Sequence, residues 1–166
     1  GRTSWRSDVA IPALEAAGVG YFDPQLAFGA WTEAEEDAGM RAKAEAGVLL
    51  FVLNGETRGV ATVAEAAYYL AQKRRLALMV VDIRESDVID GRVLTQAERD
   101  DLNRGRIFLR TMAREHAVPV FTTVAETVEH AITLTRERGE PLTLARLQGI
   151  LAEVKFGTAA FGVKEI

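Results

Sequence analysis

An apolar run, a short loop and a helix decide how this chain folds. The run is Val48-Leu49-Leu50-Phe51-Val52-Leu53, the loop is Asn54-Gly55-Glu56-Thr57-Arg58-Gly59, and the helix that follows carries Glu65. Six consecutive apolar residues predict a strand that is covered on both faces, as in a parallel sheet. Ligands of parallel α/β sheets bind in the crevice outside the carboxyl ends of the strands. We therefore expect Glu65, on the connection from this strand to its helix, to face a ligand site.

Glu65 also has a purely structural interpretation. Thr62 and Glu65 have the spacing of a capping box, in which the glutamate side chain returns to the backbone N–H of the capping residue. A carboxylate early in a helix is further stabilised by the helix dipole. The spacing alone favours the cap and the ligand-facing carboxylate equally.

The rest of the chain alternates between helix-like and strand-like hydrophobic periods, which predicts an α/β protein with a parallel sheet and helices on both faces. We predict further strands at 19–22, 76–81 and 118–121, and Pro119 indicates an edge or end position in the sheet for the last of these. Helices are predicted at 8–17, 33–45, 95–116, 124–138 and 142–154. Ser7 is expected to cap the first of them, and Thr32 with Glu35 is expected to form a capping box at the start of the second. Residues 84–91 are predicted to be a polar turn. In helix 95–116 the expected core contacts are Leu102, Ile107, Leu109 and Met112.

The start of the chain departs from the usual pattern of such sheets. Residues 1–6 have the composition of a loop leading into the first helix, where a strand normally begins the fold. Two explanations stay open: the leading strand lies outside this sequence, or the tail 156–166 supplies a strand in its place.

Length and composition are those of an ordinary globular protein. A chain of 166 residues with 48% hydrophobic and 27% charged residues fits a single globular domain spanning 1–166. A net charge of −4 argues against a nucleic-acid partner, and we expect no membrane segment and a cytoplasmic location. There is no cysteine, and His116 and His130 lack the spacing of metal ligands, so we expect neither a metal nor another cofactor.

Several short motifs together resemble the nucleoside 2-deoxyribosyltransferase-like family. They are Ser4-Trp5-Arg6, Tyr21-Phe22-Asp23-Pro24-Gln25, Asp37 ahead of the apolar run, and Glu56-Thr57-Arg58-Gly59 leading to Glu65-Ala66-Ala67-Tyr68, and they cover about the first half of the chain. The resemblance implies a three-layer flavodoxin-like (Rossmann-like) fold and exchange or removal of the base of 2′-deoxynucleosides or their 5′-monophosphates. Family members usually open with a strand and a glycine-rich turn, which this sequence lacks.

The resemblance also implies roles for individual residues. Glu65 corresponds to the nucleophile, Asp37 to the residue that handles the proton of the leaving base, Gln25 to a base contact and Trp5 to an aromatic wall of the pocket. From the residues alone, Asp37 belongs to an acidic run at a helix start that is typical of a solvated face.

Four further side chains are candidates for substrate contacts. Arg6 and Arg58 could bind a phosphate, Thr62 could contribute its hydroxyl, and Tyr68 could hydrogen-bond Glu65 from the same helical face. Turn chemistry, capping and packing are the ordinary alternatives for these residues.

The expected function is N-glycosyl transfer or hydrolysis through a covalent glycosyl–Glu65 intermediate, with a nucleoside or nucleotide as the small-molecule partner. The alternative is a non-catalytic nucleotide-binding or sensing module of the same fold. The resemblance also implies a homo-oligomer in which a neighbouring subunit completes the pocket. Phe156 and Phe161 are candidate contacts, and burial of these two side chains in their own domain is the ordinary alternative.

Overall fold

The computed structural model describes residues 3–24 and 32–137, which form a π-helical turn (Arg6–Ala10), five α-helices and five strands. The helices are α1 (Ile11–Ala16), α2 (Glu33–Glu45), α3 (Val60–Ala71), α4 (Gln96–Glu115) and α5 (Val124–Glu137). The strands are β1 (Leu49–Leu53), β2 (Leu76–Val80), β3 (Val88–Ile89), β4 (Arg92–Val93) and β5 (Val120–Phe121). The predicted run 48–53 is thus a strand, as expected.

Strands β1, β2 and β5 form a parallel sheet in that order. The register between β1 and β2 runs from Leu49 opposite Leu76 to Leu53 opposite Val80. Strand β5 lies at one edge, which agrees with the edge position indicated by Pro119. Within the described residues no strand pairs with the other edge of β1, so the leading strand expected of such a sheet is missing from this part of the chain.

Helices cover both faces of the sheet because successive side chains of a strand point to opposite faces. One core contains Leu49, Phe51 and Leu53 of β1 with residues of α3 and α4, including Leu70 and Leu109. The other contains Val52 and Met79 with Trp5, Leu14 and Val128, contributed by the chain before α1, by α1 and by α5. The described chain therefore has the three-layer, flavodoxin-like α/β architecture.

The starts of two helices are fixed by local sequence. In α2 the Thr32 hydroxyl accepts a hydrogen bond from the Glu35 N–H, and the Glu35 carboxylate accepts one from the Thr32 N–H at 2.9 Å. Thr95 and Glu98 form the same reciprocal capping box at the start of α4. These bonds satisfy backbone donors that have no partner inside the helix, which explains why 33–45 is a helix with the predicted bounds.

The predictions for the first segment need correction. The helical turn begins at Arg6 and Ser7 lies inside it, where its hydroxyl donates to the Ser4 carbonyl at 2.9 Å and caps nothing. Residues 19–22 are not a strand, because they have no strand partner in the described part of the chain. Helix α1 ends at Ala16, within one residue of the predicted end at 17: Gly18 has a φ of +67°, and the N–H of Val19 bonds the Leu14 carbonyl.

Two predictions for the middle of the chain were wrong. The stretch read as a polar turn at 84–91 contains strand β3, which pairs with β4 in a hairpin around Asp90 and Gly91, both with positive φ. An Asp-Gly pair between apolar residues is the standard signal for this two-residue turn, and the sequence contained it. Ile107 was expected in the core but is 54% exposed, because it lies on the solvent side of α4.

Some predictions fall outside the described residues. They are the helix at 142–154, the tail strand and the contacts of Phe156 and Phe161. Among the described helices, none combines the length and the apolar composition that crossing a membrane requires.

Candidate functional site

A cavity of about 850 Å³ runs along the edge of β1 with which no strand of residues 3–24 and 32–137 pairs. We call it the β1 cavity. Its walls are β1 itself, residues 19–24 and the turn around Trp5 and Arg6 on one side, and the last turns of α2 with the first turns of α3 on the other. The volume lies within the range of roughly 300–1,000 Å³ that is usual for small-molecule sites.

Glu65 lines this cavity from α3. Its Oε1 accepts a hydrogen bond from Lys43 Nζ on α2 at 2.8 Å, and its side chain is 35% exposed. The carboxylate is therefore both accessible and held in one orientation.

The capping-box interpretation of Glu65 is wrong. Helix α3 begins at Val60, after Gly59 in the left-handed conformation with a φ of +67°, and no side chain caps it. A side chain at position 59 would meet Leu53 Cδ2 at 2.3 Å, so this early start requires glycine. Thr62 consequently lies inside the first turn, and Glu65 is left to point into the cavity.

Three other predicted residues also line the β1 cavity: Trp5, Arg6 and Thr62. The Arg6 guanidinium lies 4.2 Å from the centre of the Trp5 ring and its Nε is 3.3 Å from the Asp23 carboxylate. Burial lowers the pKa of Arg6 and the charge of Asp23 opposes that shift. The cavity thus has an acidic group on α3 and a cation beside an aromatic ring on its opposite wall.

The remaining predicted residues are elsewhere. Asp37 is exposed on α2 and does not line the cavity, and Tyr68 is 53% exposed with its ring against Tyr69.

Arg58 points to the hairpin side, 3.7 Å from Asp90 and 3.6 Å from Glu98. Gln25 lies outside the described residues. The structure therefore groups Glu65, Thr62, Trp5 and Arg6 and separates them from Asp37, Arg58 and Tyr68.

Lys43 is a cavity residue that sequence reasoning missed. It is 22 residues from Glu65 in the chain, and its contact depends on how α2 packs beside α3. No local motif carries that information.

Arg106 is a second missed residue, and here a signal existed. It lies on the buried stripe of α4 with Leu109 and Ala113, a position where a charged residue is unusual. Its fully buried guanidinium donates from Nη2 to the carbonyls of Asn54 and Thr57 at 2.9 and 3.0 Å. Arg106 thereby holds the loop between β1 and α3, which borders the cavity, and burial lowers the pKa of this residue.

Within residues 3–24 and 32–137, no group of three or more histidine, aspartate or glutamate side chains is arranged to bind a metal ion. The charged groups on the cavity walls are three carboxylates (Asp23, Glu45 and Glu65), the ammonium of Lys43 and the guanidinium of Arg6.

No protein-family model, curated protein or solved structure matches this chain. The assignment to the nucleoside 2-deoxyribosyltransferase-like family therefore stays a prediction from the sequence motifs.

Proposed function

We propose that this protein cleaves the N-glycosidic bond of 2′-deoxynucleosides or their 5′-monophosphates and passes the sugar to a second base or to water. The observation that carries the proposal is the position of Glu65, whose carboxylate faces a cavity large enough for a nucleoside and does not cap its own helix. Trp5, Arg6 and Glu65, which belong to the motifs of the sequence resemblance, line that same cavity, and so does Thr62.

Cleavage of an N-glycosidic bond develops positive charge on the sugar, which an adjacent carboxylate can trap covalently. An oxygen of Glu65 bonds to the anomeric carbon while the bond from that carbon to the base nitrogen breaks. The bonding electron pair leaves with the base, whose nitrogen takes up a proton. In the second half a new base or water attacks the anomeric carbon and the electron pair returns to Glu65.

Other parts of the substrate are assigned to the opposite wall of the cavity. The Trp5 ring is proposed to contact the base, and Arg6, which also contacts Asp23, is proposed to bind a 5′-phosphate. The resemblance assigns protonation of the leaving base to Asp37, a base contact to Gln25 and completion of the pocket to a neighbouring subunit. These three assignments rest on the resemblance alone, because Asp37 does not line the cavity and Gln25 lies outside the described residues.

One observation favours a second candidate, a module that binds an intact nucleotide without turnover. Lys43 occupies one oxygen of Glu65, and Asp37, the acid that the resemblance assigns to the leaving base, does not line the cavity. Calorimetry distinguishes the two: a sensor binds the nucleotide tightly and releases no base over hours.

The enzymatic proposal is tested with the full chain, a deoxynucleoside and a second free base. We expect chromatography to show the exchanged nucleoside or released base, and intact-protein mass spectrometry to show a deoxyribosyl adduct. Glu65→Gln keeps the size of the side chain but removes the nucleophilic charge, so turnover should fall by at least about a thousandfold, as expected when an essential nucleophile is lost.

Glu129→Gln is the matched control, since Glu129 is exposed on α5 and lies outside the cavity. It should leave exchange unchanged. Full activity in Glu65→Gln would falsify the covalent mechanism.

A further inference from the structure

The contact between Lys43 and Glu65 joins two helices on the wall of the β1 cavity. Lys43 Nζ lies 2.8 Å from Glu65 Oε1, and the lysine side chain is only 20% exposed. Within the described part of the chain this is the hydrogen bond that the Glu65 carboxylate makes, so Oε2 stays available to a ligand.

The end of α2 that carries Lys43 is fixed against α3. Arg74, just after α3, donates from Nη2 to the backbone carbonyls of Lys43 and Ala46 at 2.8 and 2.7 Å. These carbonyls belong to the last turn of α2, where they have no partner inside the helix. The same guanidinium lies 5.8 Å from the centre of the Tyr69 ring. The ammonium is therefore delivered to Glu65 by an anchored helix end and not by a freely moving surface chain.

The fixed ammonium of Lys43 interacts differently with the charged carboxylate of Glu65 and with the ester formed from that carboxylate. The free carboxylate carries a full negative charge, which the Lys43 ammonium stabilises through a charge-assisted hydrogen bond. A glycosyl ester on Glu65 is neutral, and its carbonyl oxygen gains much less from the same ammonium. Lys43 thus favours the free carboxylate over the ester.

We propose that Lys43 is a positioning residue that speeds release of the sugar from Glu65, and this inference rests on the proposed function. During release the nitrogen of the acceptor base, or a water oxygen, bonds to the anomeric carbon. The bond from that carbon to the Glu65 oxygen breaks, and its electron pair returns to the carboxylate beside Lys43. The proton of the attacking nitrogen or water passes to solvent.

The direction of the effect differs between the two halves of the reaction. Lys43 stabilises the carboxylate that is consumed in the first half and regenerated in the second. Removing the ammonium should therefore leave sugar capture as fast or faster and slow sugar release by about tenfold, the effect of losing one hydrogen bond to a charged group.

The test uses the full chain with Lys43→Met, which keeps a long unbranched side chain with good helix propensity. Single-turnover mixing with a deoxynucleoside, followed by intact-protein mass spectrometry, gives the rates of adduct formation and decay. Lys43→Arg restores a cation at the same place, and Lys73→Met makes the same change at an exposed lysine outside the cavity. Thermal unfolding of each variant confirms folding.

The expected result is an adduct that accumulates in Lys43→Met, decays faster in Lys43→Arg and behaves as wild type in Lys73→Met. Wild-type decay in Lys43→Met overturns the inference and leaves the proposed function standing. Slower adduct formation without accumulation also overturns it, since Lys43 would then serve substrate binding. If the wild-type chain forms no adduct and exchanges no base, the proposed function fails and this inference fails with it.

Discussion

The two edges of strand β1 have opposite environments. On one edge β1 is paired along its whole length with β2, with the Leu49 N–H bonded to the Arg75 carbonyl and the Val81 N–H to the Leu53 carbonyl, both at 2.9 Å. On the other edge, within the described residues, no strand follows and the β1 cavity begins. One five-residue strand therefore contributes both to the tightest part of the core and to the wall of the candidate site.

The edge of β1 that pairs with β2 belongs to the part of the molecule that stabilises the fold, and the other edge borders the candidate site. The paired strands β1 and β2 contribute fully buried residues such as Leu53 and Leu78, whose packing stabilises the fold. The unpaired edge leaves room beside Glu65, which a fourth strand in contact with β1 would reduce.

The sharpest test of the contrast is amide hydrogen exchange along β1. In a parallel ladder, alternate residues bond to the same neighbour, so the amides of Phe51 and Leu53 face β2 whereas those of Leu50 and Val52 face the cavity. Opening free energies range from near zero to the global value, and we expect Leu50 and Val52 to exchange at least about a hundredfold faster. Residue-resolved NMR measures the exchange rate of each of these amides. Equal protection of all four amides would show that the cavity edge is paired in solution.

The next test removes the same side chain from the two environments. Leu53 is completely buried in the core, so Leu53→Ala should lower the free energy of unfolding by about 2–5 kcal/mol. Leu50 is half-buried and borders the cavity, so Leu50→Ala should cost only about 1 kcal/mol. Urea unfolding of both variants measures the difference. Similar losses in the two variants would show that the Leu50 side chain, despite bordering the cavity, is packed as tightly as Leu53.

The smallest effect concerns the glycine that ends the loop beyond β1. Gly59 and Gly18 both have a φ of +67°, but only at position 59 would a new Cβ meet the buried Leu53 side chain. Both alanine substitutions should therefore cost roughly 1–2 kcal/mol for the left-handed backbone. Gly59→Ala should cost about 1 kcal/mol more, because Leu53 cannot move freely in a packed core. Thermal unfolding compares the two alanine variants. An equal cost would mean that the Leu53 side chain moves aside to accommodate the new Cβ.

Much of the fold was predictable because its signals are local. The apolar run of β1 reflects burial on both faces, and the Thr32–Glu35 pair satisfies the backbone donors at the start of α2. The Asp90-Gly91 turn has an equally local signal, since an Asp-Gly pair readily adopts the positive φ angles of a two-residue hairpin turn.

The candidate site was only partly predictable because it depends on packing between distant elements. Glu65 could be located from its strand and helix alone, and it lines the cavity. Lys43 reaches Glu65 and Arg74 bonds the end of α2, whereas Asp37 on the same helix stays exposed, so the site depends on the rotation of α2 about its axis. No short-range pattern in the sequence encodes that rotation.

The burial of Arg106 has a consequence for how the loop between β1 and α3 moves. One nitrogen of its guanidinium bonds the carbonyls of both Asn54 and Thr57, and Nε and Nη1 of the same group have no partner in the described part of the chain. Lifting the loop breaks two bonds to a charge that cannot reach water unless α4 also separates from the sheet. We therefore expect the loop and α4 to open together, so that the part of the cavity wall formed by this loop moves only when α4 does.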